Sequence, residues 1–395
     1  MAKPTQPPYA GPALFSYGFR PLFLVAGVFA ALVVPLWMGV WSGDVVLDGP
    51  FSPLDWHIHE MLFGYTSAVI AGFLFTAIPN WTGRMPTRGW PLMVLTALWL
   101  AGRFAVAGAF AFELVGVMLI DSAFMLVIGG MVTIEIVAGR NWSNLKVVVP
   151  VLLYLAANLT FHIEAMIAGS ADVGRRLGFA MVVMLIGLIG GRIIPSFTRN
   201  WLVKRSPDPG ALPVPFGRFD GVSLGATLLA LLVWVIWPVS PPTGMLLVLA
   251  GVGQGVRMAR WRGWRVWRSP LVLMLHVAFG FIPAGLVALG LSALELFPAA
   301  TGFHLLGIGG FGGMTIAVMM RASLGHTGRP LQAGSGLTLA FALVSLAAVV
   351  RVTVPLPLGL WIAAAFWTLG FGLFVLRFAP VLCLPNPTRR QPNGR

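Results

Sequence analysis

The feature that most limits this chain is a succession of apolar runs, each about as long as a bilayer is thick. A helix needs about 20 mainly apolar residues to cross the hydrocarbon. Twelve segments approach that length: 21–42, 57–79, 91–110, 112–138, 146–168, 176–195, 220–239, 243–258, 270–292, 301–320, 335–352 and 357–378. Charged residues make up 10% of the chain, against about 25% in soluble domains, so too little polar surface exists to cover a water-exposed globule. The expected fold is all-α and polytopic: a single 12-helix transmembrane domain over 21–378, between an N-terminal segment 1–20 and a C-terminal tail 379–395. The third and fourth runs touch at Phe110–Phe112, and the eighth is short enough to lie partly in the interface.

Basic residues test this count. With the N-terminus cytoplasmic, inside segments carry 21 of the 26 Lys and Arg. Outside segments carry Arg175, Arg176 and Arg351, while Arg103 and Arg192 fall within helices. Cytoplasmic loops concentrate Lys and Arg, so both termini are expected on the cytoplasmic side. The first 19 residues lack a charged n-region leading into a short apolar core, so no cleaved signal peptide is expected. The net charge of +14 therefore reflects topology and not a nucleic-acid partner. In the run Arg257-Met-Ala-Arg-Trp-Arg-Gly-Trp-Arg-Val-Trp-Arg268, cations alternate with tryptophans. That pattern suits an interfacial loop in contact with membrane lipid headgroups.

Three helix ends look alike: Ile78-Pro-Asn-Trp-Thr-Gly-Arg84, Ile194-Pro-Ser-Phe-Thr-Arg-Asn200 and Gly325-His-Thr-Gly-Arg329. The spacing from His59 to Thr82 equals that from His304 to Thr327. These ends close helices 2, 6 and 10, which suggests three four-helix units about a pseudo-threefold axis; a shared helix-stop sequence explains them equally well. Gly187/Gly191 and Gly309/Gly313 have the GxxxG spacing that lets helices approach closely.

Ionisable residues are expensive in hydrocarbon and are the first functional candidates. His57, His59, His162 and His304 fall in the outer third, His276 lies nearer the inner side, and His326 is in an inner loop. Imidazoles at one depth on several helices suit an iron porphyrin or a copper ion. His59 and His304 each lie about three residues inside a helix and are the preferred pair for one iron. His57 and His59 differ by about 200° on a regular helix, so His57 is left for a second metal or for capping. Arg175, Arg176 and Arg351 could neutralise haem propionates. Arg103 and Asp121 lie near the midplane and could pair, whereas Glu60 and Glu164 stand beside His59 and His162. The one cysteine, Cys383, excludes an internal disulfide. Absence of CxxCH excludes c-type attachment, leaving b-type haem. Walker A, GxSxG, HExxH and CxxC motifs are also missing.

Several stretches resemble the NnrS family of bacterial membrane proteins: Phe19-Arg-Pro-Leu-Phe23, Trp56-His-Ile-His-Glu-Met-Leu-Phe-Gly64, Ala71-Gly-Phe73, Pro79-Asn-Trp-Thr-Gly-Arg84, Gly190-Gly-Arg-Ile-Ile-Pro195, Phe197-Thr-Arg-Asn200, Gly302-Phe-His304 and Gly325-His-Thr-Gly-Arg-Pro330. The resemblance implies a twelve-helix inner-membrane protein containing haem and copper, linked to nitric oxide metabolism and nitrosative stress protection. An analogy with haem–copper oxidase subunit I also follows, because helices 2 and 10 supply low-spin haem ligands there. Helices 6 and 7 carry no histidine here, so that family's copper centre does not transfer.

The expected function is metal-centred binding or redox chemistry of nitric oxide, served by an unidentified electron donor, with oxidoreductase activity left open. His59 and His304 are the preferred haem ligands; His57, His162 and His276 are the copper candidates. A secondary transporter and a haem- or metal-handling protein without catalysis are the alternatives.

Overall fold

The computed structural model describes residues 9–205, 210 and 212–387. Four of the basic residues expected on the cytoplasmic side, Lys3, Arg389, Arg390 and Arg395, lie outside these. The described residues form helices and no strand. In chain order the rods are α1 (Phe19–Ser42), α2 (Pro53–Thr82), α3 (Trp90–Val106), α4 (Leu114–Ala138), α5 (Val148–Ala168) and α6 (Asp172–Val203). They continue with α7 (Arg218–Ile236), α8 (Pro241–Ala259), α9 (Pro270–Ala293), α10 (Ala299–His326), α11 (Ser335–Thr353) and α12 (Leu358–Cys383).

Ten of the twelve are long and apolar enough to cross a membrane. The expectation of twelve such spans is corrected at two places. Helix α3 is apolar but has only 17 residues. Helix α8 has 19 residues, yet it starts at Pro241-Pro242 and carries Gln254 and Arg257, which lower its mean hydropathy. The boundary between α3 and α4 is a true break. Gly108 there has φ 82°, and a Cβ on it would stand 2.4 Å from the backbone carbon of Asp48.

Each helix packs on the next one in sequence, and α12 returns to pack on α1. Helices α2, α6 and α10 also touch one another, so these three meet inside the closed succession. Arg20 fastens the closure. Its guanidinium is almost fully buried and donates to the carbonyls of Leu382 (2.7 Å) and Leu384 (3.0 Å) and to Asn386 Oδ1 (2.6 Å). The last carbonyls of a helix have no acceptor role inside it, and here the first helix satisfies them.

The three central helices share a departure from α geometry. Each contains a π-helical stretch: Glu60–Tyr65 in α2, Ile186–Gly190 in α6 and Leu305–Gly312 in α10. A π turn pairs each amide with the carbonyl five residues back, is rare, and recurs at functional sites. Side chains from other helices bond the carbonyls of two of these stretches. Tyr154 Oη donates to Leu62 O, Trp99 Nε1 donates to Gly64 O (2.9 Å) and Arg257 Nη1 donates to Gly187 O (2.8 Å). Gly191 makes room for that arginine, since a Cβ there would lie 1.9 Å from Arg257 Nη2.

Candidate functional site

Two polar regions form at the histidine-bearing end, on either side of α2. The N-cap Ser52 accepts from Asp55 N (3.2 Å) and Pro53 opens the helix, both common start signals. The helix then carries Trp56-His-Ile-His59 before its π stretch begins. Residues two apart lie on roughly opposite faces, and the two histidines separate accordingly.

His59 is fully buried. Its Nδ1 is 3.0 Å from Glu60 Oε1, and its Nε2 is 3.0 Å from Asn158 Oδ1 and 3.2 Å from Asp121 Oδ2. His162 Nε2 reaches the same Asp121 oxygen at 3.0 Å. Asn158 Nδ2 donates to Asp121 Oδ2 (2.7 Å). Arg103 donates to both Glu60 and Asp121. Thus α2, α3, α4 and α5 each place a charged or polar group in one enclosed cluster. His59, Asp121 and His162 each offer a ligand atom within 4.8 Å of the others, an arrangement that could hold a metal ion. One guanidinium faces two carboxylates, and the His59 ring, with an acceptor at each nitrogen, lies against the same two acids. Uncompensated charge in a low-dielectric interior is costly.

His57 faces the other way, into a cavity of about 330 Å³. Its ring stacks on Trp37 at 4.6 Å, and its Nδ1 is buried without a hydrogen-bond partner. His304 lines the same cavity, as do Arg175 and Arg351. His304 Nδ1 lies 2.6 Å from the carbonyl of Ala300. A carbonyl only accepts, so Nδ1 carries the proton and Nε2 keeps its lone pair for another partner. Most of the remaining lining is apolar, from Val34 on α1 to Trp367 on α12. At the far end Tyr65 Oη donates to Thr315 Oγ1 (2.6 Å), which donates on to Phe311 O (2.6 Å).

The residues singled out in the sequence are therefore divided. His57 and His304 share the cavity, whereas His59 lies in the cluster with His162. The pairing of His59 with His304 is not what the helix geometry brings about, because the cavity face of α2 at this level belongs to His57. Arg175 and Arg351 line the cavity; Arg176 instead donates to Val235 O (3.2 Å). His276 stands apart, its Nε2 2.8 Å from Thr198 Oγ1. Glu164 is taken up by the start of α6, accepting from Val173 N (2.8 Å) and Gly174 N (2.9 Å), which is the usual role of an acid at a helix N-terminus. Arg103 and Asp121 pair as expected, but as part of the histidine cluster. Asn158 and Tyr154 are functional neighbours that sequence reading missed. Asn158 lies four residues before His162, a spacing that puts both on one helix face.

The fold and these two regions define the class: a multi-pass helical membrane protein with a buried group able to hold a metal and a cavity lined by histidine and arginine. Residues 13–386 match the family model described as NnrS protein. The chain belongs to the NnrS family. No match was found among curated proteins.

Proposed function

We propose that this protein acts in nitric oxide metabolism or protection from nitrosative stress, with haem in the cavity and copper at the His59–Asp121–His162 group. The observation that carries this reading is the convergence of His57, His304, Arg175 and Arg351 on one largely apolar cavity. The donor set fits a porphyrin. His57 has a buried nitrogen without a partner among the described residues and His304 a free lone pair, so these two residues would hold the iron. Arg175 and Arg351 supply the positive charge that propionates require. Haem iron supplies nitric oxide binding where a coordination position is open, and electron transfer where two histidines fill both.

The chain's own contributions follow from its residues. His304 is held in one tautomer by Ala300, so its Nε2 points a lone pair without rearrangement. Trp37 fixes the plane of His57. The apolar lining excludes water and admits a small uncharged gas from the lipid. At the other group, two imidazoles and one carboxylate form a set suited to copper, zinc or iron, with copper bound most strongly among divalent ions of this series. Arg103 and Asn158 hold Asp121 in place, the outer-shell contribution that keeps ligands oriented.

The same reading takes the chain as three four-helix units, as the likeness to haem–copper oxidase subunit I suggests. Its support is the π stretch in the second helix of each unit. In the first two units a buried arginine–aspartate pair joins the third and fourth helices, Arg103–Asp121 and Asp220–Arg257. Bacterial inner-membrane placement with both ends cytoplasmic follows from the bias of basic residues.

The test is a dithionite-reduced minus oxidised absorbance spectrum of detergent-purified protein, with metal analysis of the same sample. A Soret shift with α and β bands, together with stoichiometric copper, is expected. A flat spectrum from cells that make other haem proteins normally would refute the cavity assignment and return transport to first place.

A further inference from the structure

The basic tryptophan-bearing run between α8 and α9 plays no part in either region described above, and the structure divides it. Arg257 leaves the surface entirely: it is buried, donating to Asp220 Oδ1 (3.1 Å) and Gly187 O (2.8 Å). Arg260 shares Asp220 at 3.4 Å. Beyond them, Arg262, Arg265 and Arg268 make no ion pair among the described residues. Trp264 and Trp267 are 58% and 64% exposed.

This segment is a formed surface. Val266 is fully buried and packs with Leu202 and Val272, flanked by Phe197, Trp201 and Leu212, in a small core separate from the main one. Arg262 adopts φ 60°, a left-handed conformation that costs a non-glycine residue about 1 kcal/mol or more and persists where the surroundings enforce it. Its Nε is buried without a hydrogen-bond partner. Guanidinium groups lie over indole rings at 4.4 Å for Arg205 on Trp201, 5.7 Å for Arg262 on Trp264 and 4.8 Å for Arg268 on Trp267.

We propose that this surface, formed by the end of α6 and the α8–α9 connection, is a docking site for an anionic phospholipid. Three observations favour that occupant. Arg262, Arg265 and Arg268 have no acid within ion-pair distance among the described residues. They stand where the long apolar helices α6 and α9 end. Exposed indoles beside them have the half-apolar character of residues that lie at the membrane–water interface. Arginine meets a phosphate through paired N–H donors, while Trp264 and Trp267 lie against the glycerol and upper acyl region.

Native mass spectrometry of the full chain in detergent, with phosphatidylglycerol and phosphatidylcholine of identical acyl chains, tests the site. Phosphatidylglycerol should be retained preferentially, and each arginine removed should weaken that preference by about fivefold. Arg265→Gln and Arg268→Gln are the variants to use, since both side chains are exposed and neither makes an ion pair among the described residues, Arg268 lying only over the exposed ring of its neighbour Trp267. A wild-type measurement guards against misfolding: the preference should fall as salt is raised from low to high ionic strength. Equal retention of the two lipids, a preference unchanged in the double variant, or displacement of the lipid by millimolar inorganic phosphate would each overturn the proposal.

Discussion

His57 and His59 are separated by one residue, yet they occupy opposite chemical situations. Around His59 the ring faces pack on Phe51, Phe63 and Phe161, but both ring nitrogens face acceptors, and Asp121 collects contacts from Arg103, Asn158, His59 and His162. Around His57 the neighbours are mostly apolar, and a ring nitrogen is left without a partner. Buried polar groups are ordinarily satisfied; the ring nitrogens of His59 meet that rule within the chain, whereas Nδ1 of His57 does not among the described residues. A histidine committed to other side chains gives stability and geometry. One enclosed by hydrocarbon with a lone pair to spare is suited to take a ligand from outside the chain.

That contrast can be broken experimentally, and the largest effect is expected in the cluster. Arg103→Ala would leave Glu60 and Asp121 buried against each other, and removing one partner of a buried ion pair typically costs about 3–5 kcal/mol. Thermal unfolding in detergent should show a marked loss, and an unchanged transition would mean the cluster is not a stabilising unit. His304→Ala should do the opposite, leaving the unfolding transition near wild type while abolishing the haem absorbance assigned to the cavity. A variant that keeps the full spectrum would remove His304 from ligation.

His162→Ala removes a proposed ligand and should lower copper affinity by more than about 100-fold, the upper range typical of an outer-shell partner, without altering the haem spectrum; parallel loss of both cofactors would show that the two regions are one site. Asn158→Ala acts through Asp121 and should weaken copper binding less than His162→Ala, read by competition with a chelator of known affinity. The smallest change is expected for Arg351→Gln, a shift in haem retention worth about 1 kcal/mol, as for a single partly exposed ion pair. Equal retention in Arg351→Gln and wild type would place the propionates elsewhere.

Much of the architecture was legible because lipid enforces it. Runs from Phe19–Ser42 to Leu358–Cys383 announce themselves by length, and ten of the twelve expected spans have the required length and composition. The helical wheel also separated His57 from His59. What it could not supply was the identity of their neighbours across the bundle. Pairing His59 with His304 rested on each lying about three residues inside its helix start, a relation along the chain that carries no information about facing. The π stretches were equally hidden, because widening a turn depends on donors from other helices, such as Trp99 and Arg257, and not on a local residue pattern. Asp121 and His162 are 41 residues apart, so only helix packing shows that they touch.

Arg20 bears on how the molecule is made. Its guanidinium emerges from the ribosome 362 residues before the Leu382 carbonyl that will accept from it. Throughout synthesis the first helix therefore carries a charge whose buried resting place does not yet exist. Insertion can proceed helix by helix, but closure of the bundle must wait for the final turn of α12. A chain stopped just short of Leu382 would have nearly all its hydrophobic spans and still lack the acceptors that join its beginning to its end. Closure of the seam between α1 and α12 therefore follows the making of the last helix.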